Sequence, residues 1–213
     1  MDITWYGQSC FRLRDRSVSV VCDPYDKSIG LKLPRLTADI VTVSHDHKDH
    51  NNVEAVKGEP FVIRGPGEYE IKGLFVTGIK MAHDAKGGAE RGPNTIYLLD
   101  FGEITVCHLG DLGHVPTQTQ VEEMGKVDVL LIPVGGKFTL DAKRAAEVVG
   151  LIEPGLVVPM HYGLPGLVLP LDPVQLFLGE MGVKEAERRD SLSVSAGQLP
   201  EETKVVVLEC RAG

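Results

Sequence analysis

The stretch VTVSHDHKDH, residues 41–50, runs from an apolar segment directly into a cluster of metal-binding side chains. The cluster places three histidines and two aspartates within six positions. In an extended segment, side chains two positions apart point to the same side, so the imidazoles of His45 and His47 can reach one cation. Asp49 and His50 follow after a bend and can face a second position nearby. The stretch therefore predicts half of a dinuclear metal site.

Residues that could form the other half occur at three later points, each where a strand-like run gives way to a loop. His83 closes LFVTGIKMAH, Asp111 closes EITVCHLGD, and His161 follows the apolar run in VVPMHYG. Loops at the ends of buried strands are where rigid scaffolds usually hold functional side chains. This placement, more than the number of histidines, predicts that the three residues complete the site.

Composition and charge restrict the classes of function. A chain of 213 residues, 43% hydrophobic and 24% charged, is typical of one globular domain, which we assign to residues 1–213. The formal net charge of -8 disfavours nucleic acid and anionic membranes as partners. The opening MDITWYGQSC lacks the pattern of a signal peptide, so we expect a cytoplasmic protein. We expect a small-molecule substrate, and assembly into a homo-oligomer stays open.

The four cysteines are scattered along the chain without the CxxC spacing of a thiolate metal site. Three of them, Cys10, Cys22 and Cys107, lie in or next to strand-like runs, and Cys210 lies near the C-terminus. We therefore predict free thiols, mostly buried, rather than disulfides or zinc ligands.

The hydrophobic pattern predicts many strands, with helices concentrated between the later ones. ADIVTVSH is typical of a strand buried on both faces, and NTIYLLDFGEITVCHLGD predicts a hairpin that turns at DFGE. TLDAKRAAEVVGLIEP predicts a helix capped by Asp141 and ended by Pro154. Weaker patterns indicate helices in TQTQVEEMG and DPVQLFLGEMG and a short one in NNVEAVKG. The expected architecture is two sheets with helices packed outside them.

His45-x-His47-x-Asp49-His50, followed by His83, Asp111 and His161, resembles the metallo-β-lactamase-fold metal-dependent hydrolase superfamily. WYGQSCFRL is similar to the opening hairpin of that family, and Asp23 in VVCDPY is similar to its early Asp-Pro. The segment from VDVLLIPVGG to VVPMHYG resembles the branch that includes ascorbate-6-phosphate lactonase-like and related uncharacterised hydrolases. The resemblance covers most of the chain.

The resemblance implies an α+β fold, a four-layer αββα sandwich with the site at one edge between the sheets. It also implies two divalent metal ions, with zinc favoured and manganese or iron allowed by the donor types. One metal would be held by His45, His47 and His83, and the other by Asp49, His50 and His161. Asp111 would bridge them, Asp23 would support the ligands from behind, and Asp49 would also orient the nucleophile.

Substrate contacts are less sharply indicated. His114 lies near the family's loop over the site, Arg91 precedes a strand, and Lys137 and Thr139 lie in GGKFTLD. A histidine often stands at the position of Lys137 in the lactonase-like relatives, which weakens assignment to that activity. Arg64 and Asn94 are further candidates. An odd spacing from Asp111 points His108 away from the metals, so we expect it to serve packing or to support the ligands from behind.

The leading hypothesis is a dinuclear metal-dependent hydrolase. A metal-bridging hydroxide would attack an ester, lactone or phosphoester bond of a small molecule. A nuclease of the same fold is an alternative that the acidic charge and the absence of a basic arm disfavour. A diiron oxygen- or nitric-oxide-reducing module is a second, disfavoured because His47 is not replaced by Glu, and a non-enzymatic metal-binding protein is a third. Fold similarity does not transfer substrate, and β-lactam hydrolysis is not expected.

Overall fold

The structure, a computed structural model, describes residues 1–212 and contains two large β-sheets, a two-stranded ribbon and three α-helices. The strands are β1 (Asp2–Trp5), β2 (Phe11–Arg14), β3 (Ser19–Cys22), β4 (Leu36–Thr37), β5 (Ile40–Val43), β6 (Val56–Lys57), β7 (Phe61–Arg64), β8 (Gly67–Ile71), β9 (Leu74–Ala82), β10 (Pro93–Asp100), β11 (Thr105–His108), β12 (Val129–Pro133), β13 (Leu156–Met160), β14 (Glu187–Arg189), β15 (Leu192–Ser193) and β16 (Lys204–Leu208). The helices are α1 (Gln118–Met124), α2 (Ala142–Ile152) and α3 (Val174–Glu180).

The first sheet has six strands in the order β15-β1-β2-β3-β5-β7. β15, β1, β2 and β3 are antiparallel neighbours, whereas β3, β5 and β7 run parallel. The second sheet has eight strands in the order β14-β16-β13-β12-β11-β10-β9-β8. Its strands β8 to β11 form an antiparallel meander, and the remaining strands run parallel to β11. The predicted hairpin is confirmed, because β10 and β11 pair across the DFGE turn.

One apolar core joins the two sheets and the helices. It combines inward-facing side chains of the first sheet, such as Trp5 and Phe11, with those of the second sheet, such as Tyr97 and Leu131. Phe177 and other buried residues of α2 and α3 belong to the same core, so these helices cover the outer face of the second sheet. The predicted arrangement of two packed sheets with helices outside is confirmed. No helix within residues 1–212 is both long and apolar enough to cross a membrane.

A separate apolar cluster covers the outer face of the first sheet. Alternate residues of one strand point to the two faces, so Ile40 enters the main core while Val41 and Val43 enter this cluster. Tyr25, the 3₁₀ turn Lys27–Ile29 and the ribbon of β4 and β6 close the cluster from outside. β5 is thus buried on both faces, as the sequence predicted.

One local prediction needs correction. The segment NNVEAVKG forms a single 3₁₀ turn, Val53–Ala55, that leads into β6 and not a helix. The apolar run LFVTGIKMAH forms β9, and Lys72 and Gly73, which both adopt positive φ, make the two-residue hairpin turn that joins it to β8. Strand β14 was not predicted, since its charged sequence ERR shows no apolar alternation.

The helix and cysteine predictions agree with the structure. The carboxylate of Asp141 caps α2 by accepting a hydrogen bond from the Arg144 N–H at 2.9 Å. α2 ends at Ile152, and Glu153 takes the left-handed conformation just before Pro154. All four cysteines are free, and only Cys210 among them is partly exposed.

Parallel strand direction brings the ends of several strands to one edge of the sandwich. β3 and β5 are parallel and lead into Asp23 and His45. In the second sheet β9, β11 and β13 share one direction, because β10 is antiparallel to both β9 and β11 and because β11, β12 and β13 are parallel. These three strands lead into His83, Asp111 and His161. The predicted ligands therefore leave both sheets at a common edge.

Two glycines provide a matched test of this packing. Gly135 follows β12, and a Cβ there would overlap the carbonyl oxygen of His161. We expect Gly135→Ala to lower the free energy of unfolding by about 1–3 kcal/mol, since the backbone around His161 has to shift. Gly150 lies exposed in α2, and no atom lies within 4 Å of the position that a Cβ would take there. Gly150→Ala should therefore raise the free energy of unfolding by about 0.5–1 kcal/mol. Urea denaturation of both variants checks the prediction, and changes of the same sign would contradict it.

Candidate metal centre

Seven side chains converge at this edge in two adjoining groups of metal-binding atoms. Within each group, one nitrogen or oxygen atom from every residue lies within 4.8 Å of the others. The structure brings together all seven ligands that the sequence predicted. The first group consists of His45, His47 and His83, and the second of Asp49, His50, Asp111 and His161.

The carboxylate of Asp111 lies between the two groups. Its Oδ2 is 3.2 Å from Nε2 of His50 and 3.3 Å from Nε2 of His161, which belong to the second group. The same oxygen is 3.3 Å from Nε2 of His83 and 3.9 Å from Nε2 of His45, which belong to the first. One oxygen atom is therefore within reach of imidazoles from both groups, which is the position of a bridging ligand.

Two ring nitrogens test whether the site fits metal ions. Nε2 of His45 is buried and has no hydrogen-bond partner among residues 1–212, and Nε2 of His50 is buried near the carboxylates of Asp49 and Asp111, at 3.3 and 3.2 Å, without forming a hydrogen bond with either. Both point towards Asp111. A buried polar atom without a partner costs free energy, and a cation bound between these atoms would remove that cost. Imidazole nitrogens and carboxylate oxygens are donors that zinc accepts, and manganese and iron accept them as well. The residues thus fit a metal centre.

The buried carboxylate of Asp23 orients two of the histidines. Its Oδ2 accepts hydrogen bonds from Nδ1 of His50 at 2.8 Å and from the Ser44 hydroxyl at 2.6 Å. Its Oδ1 accepts the Ser44 N–H at 2.8 Å. Because the Ser44 hydroxyl donates to Asp23, its oxygen is left to accept from Nδ1 of His45 at 2.9 Å. Both rings thereby donate a hydrogen bond from Nδ1. Nε2 of each ring faces the site, where it could bind a metal.

The turn after β1 supplies contacts that the sequence did not predict. The Gln8 side-chain amide donates to Oδ2 of Asp49 at 3.0 Å, and its backbone carbonyl accepts the His161 N–H at 3.1 Å. The Ser9 hydroxyl lies 3.4 Å from Oδ1 of Asp111. Both residues are fully buried. The only signal in the sequence was a polar pair, Gln8 and Ser9, in a turn of an otherwise apolar hairpin.

Asn94 fixes the loop that carries Asp111. Its Oδ1 accepts the Asp111 N–H at 2.9 Å, and its Nδ2 donates to the Leu109 carbonyl at 3.0 Å. Gly110 passes so close to Asn94 and Ser44 that a Cβ would collide with both. Asn94 is fully buried, so it supports the ligand loop.

Three residues of the site adopt a backbone conformation that side chains rarely take. Gln8, Asp23 and His161 have φ values of 50°, 45° and 51°. Such left-handed residues persist only where surrounding contacts hold them, and they are frequent at functional sites. Here the hydrogen bonds of each residue to its neighbours supply those contacts.

The electrostatic environment favours the metal-binding protonation state of His45, His47 and Asp111, but not that of His50. Burial, together with the neighbouring His50, lowers the pKa of His45 to about 3, and burial also lowers the pKa of His47. Burial alone would raise the pKa of Asp111, but His161 and His50 hold it well below its usual range. Burial opposes protonation of His50, yet the carboxylate of Asp111 raises its pKa well above the ordinary value. His45 and His47 are therefore neutral, and Asp111 is ionised.

The site is open on one side. His47 is exposed and the Asp49 side chain is 21% exposed, whereas the remaining five ligands are buried. A cavity of about 870 Å³ begins at His45 and His47 and extends over Arg64, Lys80 and Arg91. Structural metal sites are closed by protein ligands, whereas catalytic sites keep a position open. Access from the cavity is typical of a catalytic site.

Of the six candidates for substrate contact, Arg64 and Arg91 line this cavity. His114 makes local backbone contacts, with Nδ1 3.0 Å from the Val115 carbonyl and Nε2 accepting the Ala82 N–H at 3.4 Å. Lys137 pairs with Asp172 at 3.5 Å.

Two further predicted positions are buried. Thr139 is buried away from the cavity lining. His108 is buried outside both ligand groups, with Nε2 2.8 Å from the Ser9 carbonyl and its ring edge against Phe11. This agrees with the packing role expected for His108.

A two-sheet sandwich with this ligand cluster at its edge defines the metallo-β-lactamase type of fold. The sequence-family model of the β-lactamase superfamily domain matches residues 2–161 of this chain. A UPF0173 protein of Pyrococcus furiosus is 32% identical over 181 residues, which cover 76% of this chain and 84% of the relative. A UPF0173 metal-dependent hydrolase of Methanopyrus kandleri is 30% identical over 198 residues, with coverage of 76% and 84%.

A solved structure extends the likeness over almost the whole chain. A protein of Thermotoga maritima, proposed to be a zinc-dependent hydrolase of the metallo-β-lactamase superfamily, is 40% identical. Its structure matches with a TM-score of 0.80 and covers 97% of both chains. The chain therefore belongs to the β-lactamase superfamily and, within it, to the UPF0173 family. The αββα fold that the sequence resemblance implied is confirmed.

The role of Asp23 can be tested by removing its charge. We expect Asp23→Asn to weaken zinc binding by about 10- to 100-fold, because His50 and Ser44 lose the acceptor that orients them. Competition with a chromophoric chelator measures this affinity. Asp39→Asn is the control, since Asp39 also binds a serine, Ser19, but lies outside the ligand groups. Equal zinc affinity in the two variants would contradict the role of Asp23.

Metal binding should release protons. Since the raised pKa of His50 keeps this ring protonated in the metal-free protein at pH 7, a metal must displace its proton. We expect the release of roughly one proton or more per chain, and an affinity that falls as pH is lowered. Titration calorimetry in two buffers of different ionisation enthalpy measures the number released. An enthalpy independent of the buffer would show that His50 is already deprotonated.

Proposed function

We propose that this protein is a dinuclear metal-dependent hydrolase that cleaves an ester, lactone or phosphoester bond of a small molecule. The observation that carries the proposal is the position of Asp111, whose Oδ2 lies within 3.9 Å of imidazoles from both ligand groups. The relative from Methanopyrus kandleri is named a metal-dependent hydrolase, which supports the same class of reaction.

Each of the two ligand groups would bind one metal ion. The first group of three histidines would hold one ion, and Asp49, His50 and His161 would hold the other, with Asp111 shared. Zinc is the ion we propose, since the donors are imidazoles and carboxylates, and manganese or iron would also fit. When bound, two such ions supply a hydroxide nucleophile at neutral pH and polarise the bond under attack.

The protein residues then position the reactants. Hydrogen bonding and charge interaction with His50 outweigh burial and lower the pKa of Asp49, so this carboxylate is ionised and accepts the hydrogen bond of an attacking water. The Gln8 amide holds one Asp49 oxygen at 3.0 Å, which fixes the direction of that acceptor. The neutral, exposed ring of His47 borders the cavity, so the substrate enters beside it.

The cavity and the charge of the chain favour a small molecule over a polynucleotide. A volume of about 870 Å³ matches a metabolite-sized ligand. Proteins that grip RNA or DNA need extended basic surface, and this chain has 22 basic and 30 acidic residues. The open side of the site argues against a purely structural metal centre.

Replacement of the shared ligand tests the proposal. We expect purified protein to carry about two metal ions per chain by elemental analysis, and Asp111→Asn to lose at least one of them together with hydrolytic activity. The activity would be assayed with a panel of aryl esters, lactones and phosphodiesters, with and without chelator. The physical reason is that the substitution removes the only charge that both groups share.

Asp128→Asn provides the matched control. Asp128 is also a buried carboxylate, and it accepts the Thr105 N–H at 2.8 Å outside the ligand groups. This variant should lose stability but keep its metals and its activity. Unchanged metal content in Asp111→Asn, or chelator-resistant hydrolysis in the parent protein, would refute the dinuclear assignment.

A further inference from the structure

Three cationic side chains line the cavity beside the metal centre. Arg64 lies at the end of β7, Lys80 lies in β9, and Arg91 lies in the loop before β10. The cavity lining includes one carboxylate, that of Asp46. The cavity is thus positively lined in a protein whose overall formal charge is -8. Such a reversal of sign concentrates anions at the mouth of the site.

None of the three cations is neutralised by an ion pair. Within residues 1–212 no carboxylate oxygen lies within 4.0 Å of the charged nitrogens of Arg64, Lys80 or Arg91. Arg64 donates a hydrogen bond to the side-chain oxygen of Asn51, and the Asn51 amide donates to Asp46. Asn51 thereby lies between the Asp46 carboxylate and the Arg64 guanidinium. The charge of Arg64 therefore stays available to a ligand.

Arg91 is held in place by neighbouring groups, whereas Lys80 is placed at the cavity by its strand. The Arg91 guanidinium lies over the Phe138 ring with its carbon 4.9 Å from the ring centre. Its backbone N–H donates to Asp84 at 2.8 Å, and the same carboxylate binds three other N–H groups of this loop. Lys80 is paired across the β9–β10 ladder with Thr95, which also lines the cavity. The Arg91 side chain, so fixed, loses little freedom when it binds a ligand.

The geometry points to a recognition site for an oxyanion group, a phosphate or a carboxylate, held by Arg64, Lys80 and Arg91. The inference rests on the proposed function for one element only: the bond to be hydrolysed would face His45 and His47, which line the same cavity. Guanidinium groups present paired donors that match two oxygens of one oxyanion, and a lysine adds a mobile point charge. The preferred substrates are therefore small molecules that carry an anionic group as well as the scissile bond.

Direct binding tests the site without relying on turnover. Calorimetry would measure inorganic phosphate and glutarate binding to the metal-loaded and the chelator-treated protein. The test variant is Arg64→Gln/Lys80→Gln/Arg91→Gln. The control, Lys32→Gln/Lys143→Gln/Lys184→Gln, removes the same charge from positions outside the cavity. In chelator-treated protein we expect the test variant to bind at least one probe about tenfold more weakly than the parent, and the control to bind like the parent.

The two probes distinguish the kinds of oxyanion. A larger loss for phosphate assigns the site to phosphorylated substrates, and a larger loss for glutarate assigns it to carboxylates. Equal affinity of the parent and the test variant for both probes, or no binding of either probe to the parent, would overturn the inference.

A kinetic comparison separates this inference from the proposed hydrolase. The substrates are 4-nitrophenyl esters of pentanoate, glutarate and 4-phosphonobutyrate, which differ in their terminal group. The KM of the test variant for an anionic ester should be about tenfold higher than that of the parent protein, and its KM for the neutral ester should be unchanged. If none of these esters and none of the lactones and phosphodiesters of the panel is cleaved while phosphate or glutarate binding still depends on the three cations, the hydrolase proposal fails and the anion site stands. If the parent protein and the test variant cleave the anionic esters with the same KM, the inference of an anion site fails.

Discussion

The buried carboxylate of Asp111 is the group on which the rest of the site depends. Four imidazole rings lie around one of its oxygens, and the side chain is almost inaccessible to solvent. A buried charge is tolerated only where partners compensate it. In the metal-free protein a protonated His50 supplies that compensation, and bound cations would take over the same role. The site is therefore preformed by its own electrostatics before any ion enters.

The direction of the strands explains how one carboxylate comes to face ligands from so many parts of the chain. β3 and β5 deliver Asp23 and His45 from the first sheet, and β9, β11 and β13 deliver the three later ligands from the second. The turn after β1 lies across the gap, where Gln8 and Ser9 contact ligands of both sheets. The ligands of the two sheets thus come together only when the sheets pack against each other.

The sequence predicted the seven ligands because their residue types are rare together and each follows an apolar run. It also predicted the helix α2 and the β10–β11 hairpin, whose capping and turn signals are local. Gln8 and Ser9 escaped prediction because their partners lie 41 and 102 residues away, and a polar turn residue carries no sign of such contacts. Lys80 escaped for a similar reason, since an exposed lysine in a strand is ordinary until the fold turns it towards a cavity.

Crystals of the zinc-loaded protein, with anomalous scattering recorded on both sides of the zinc absorption edge, would test the central claim most directly. The account predicts two anomalous peaks, one beside the three histidines of the first group and one beside Asp49, His50 and His161, with Asp111 ligating both. A single peak, or two peaks with Asp111 bound to only one of them, would contradict the bridging position on which the proposed mechanism rests.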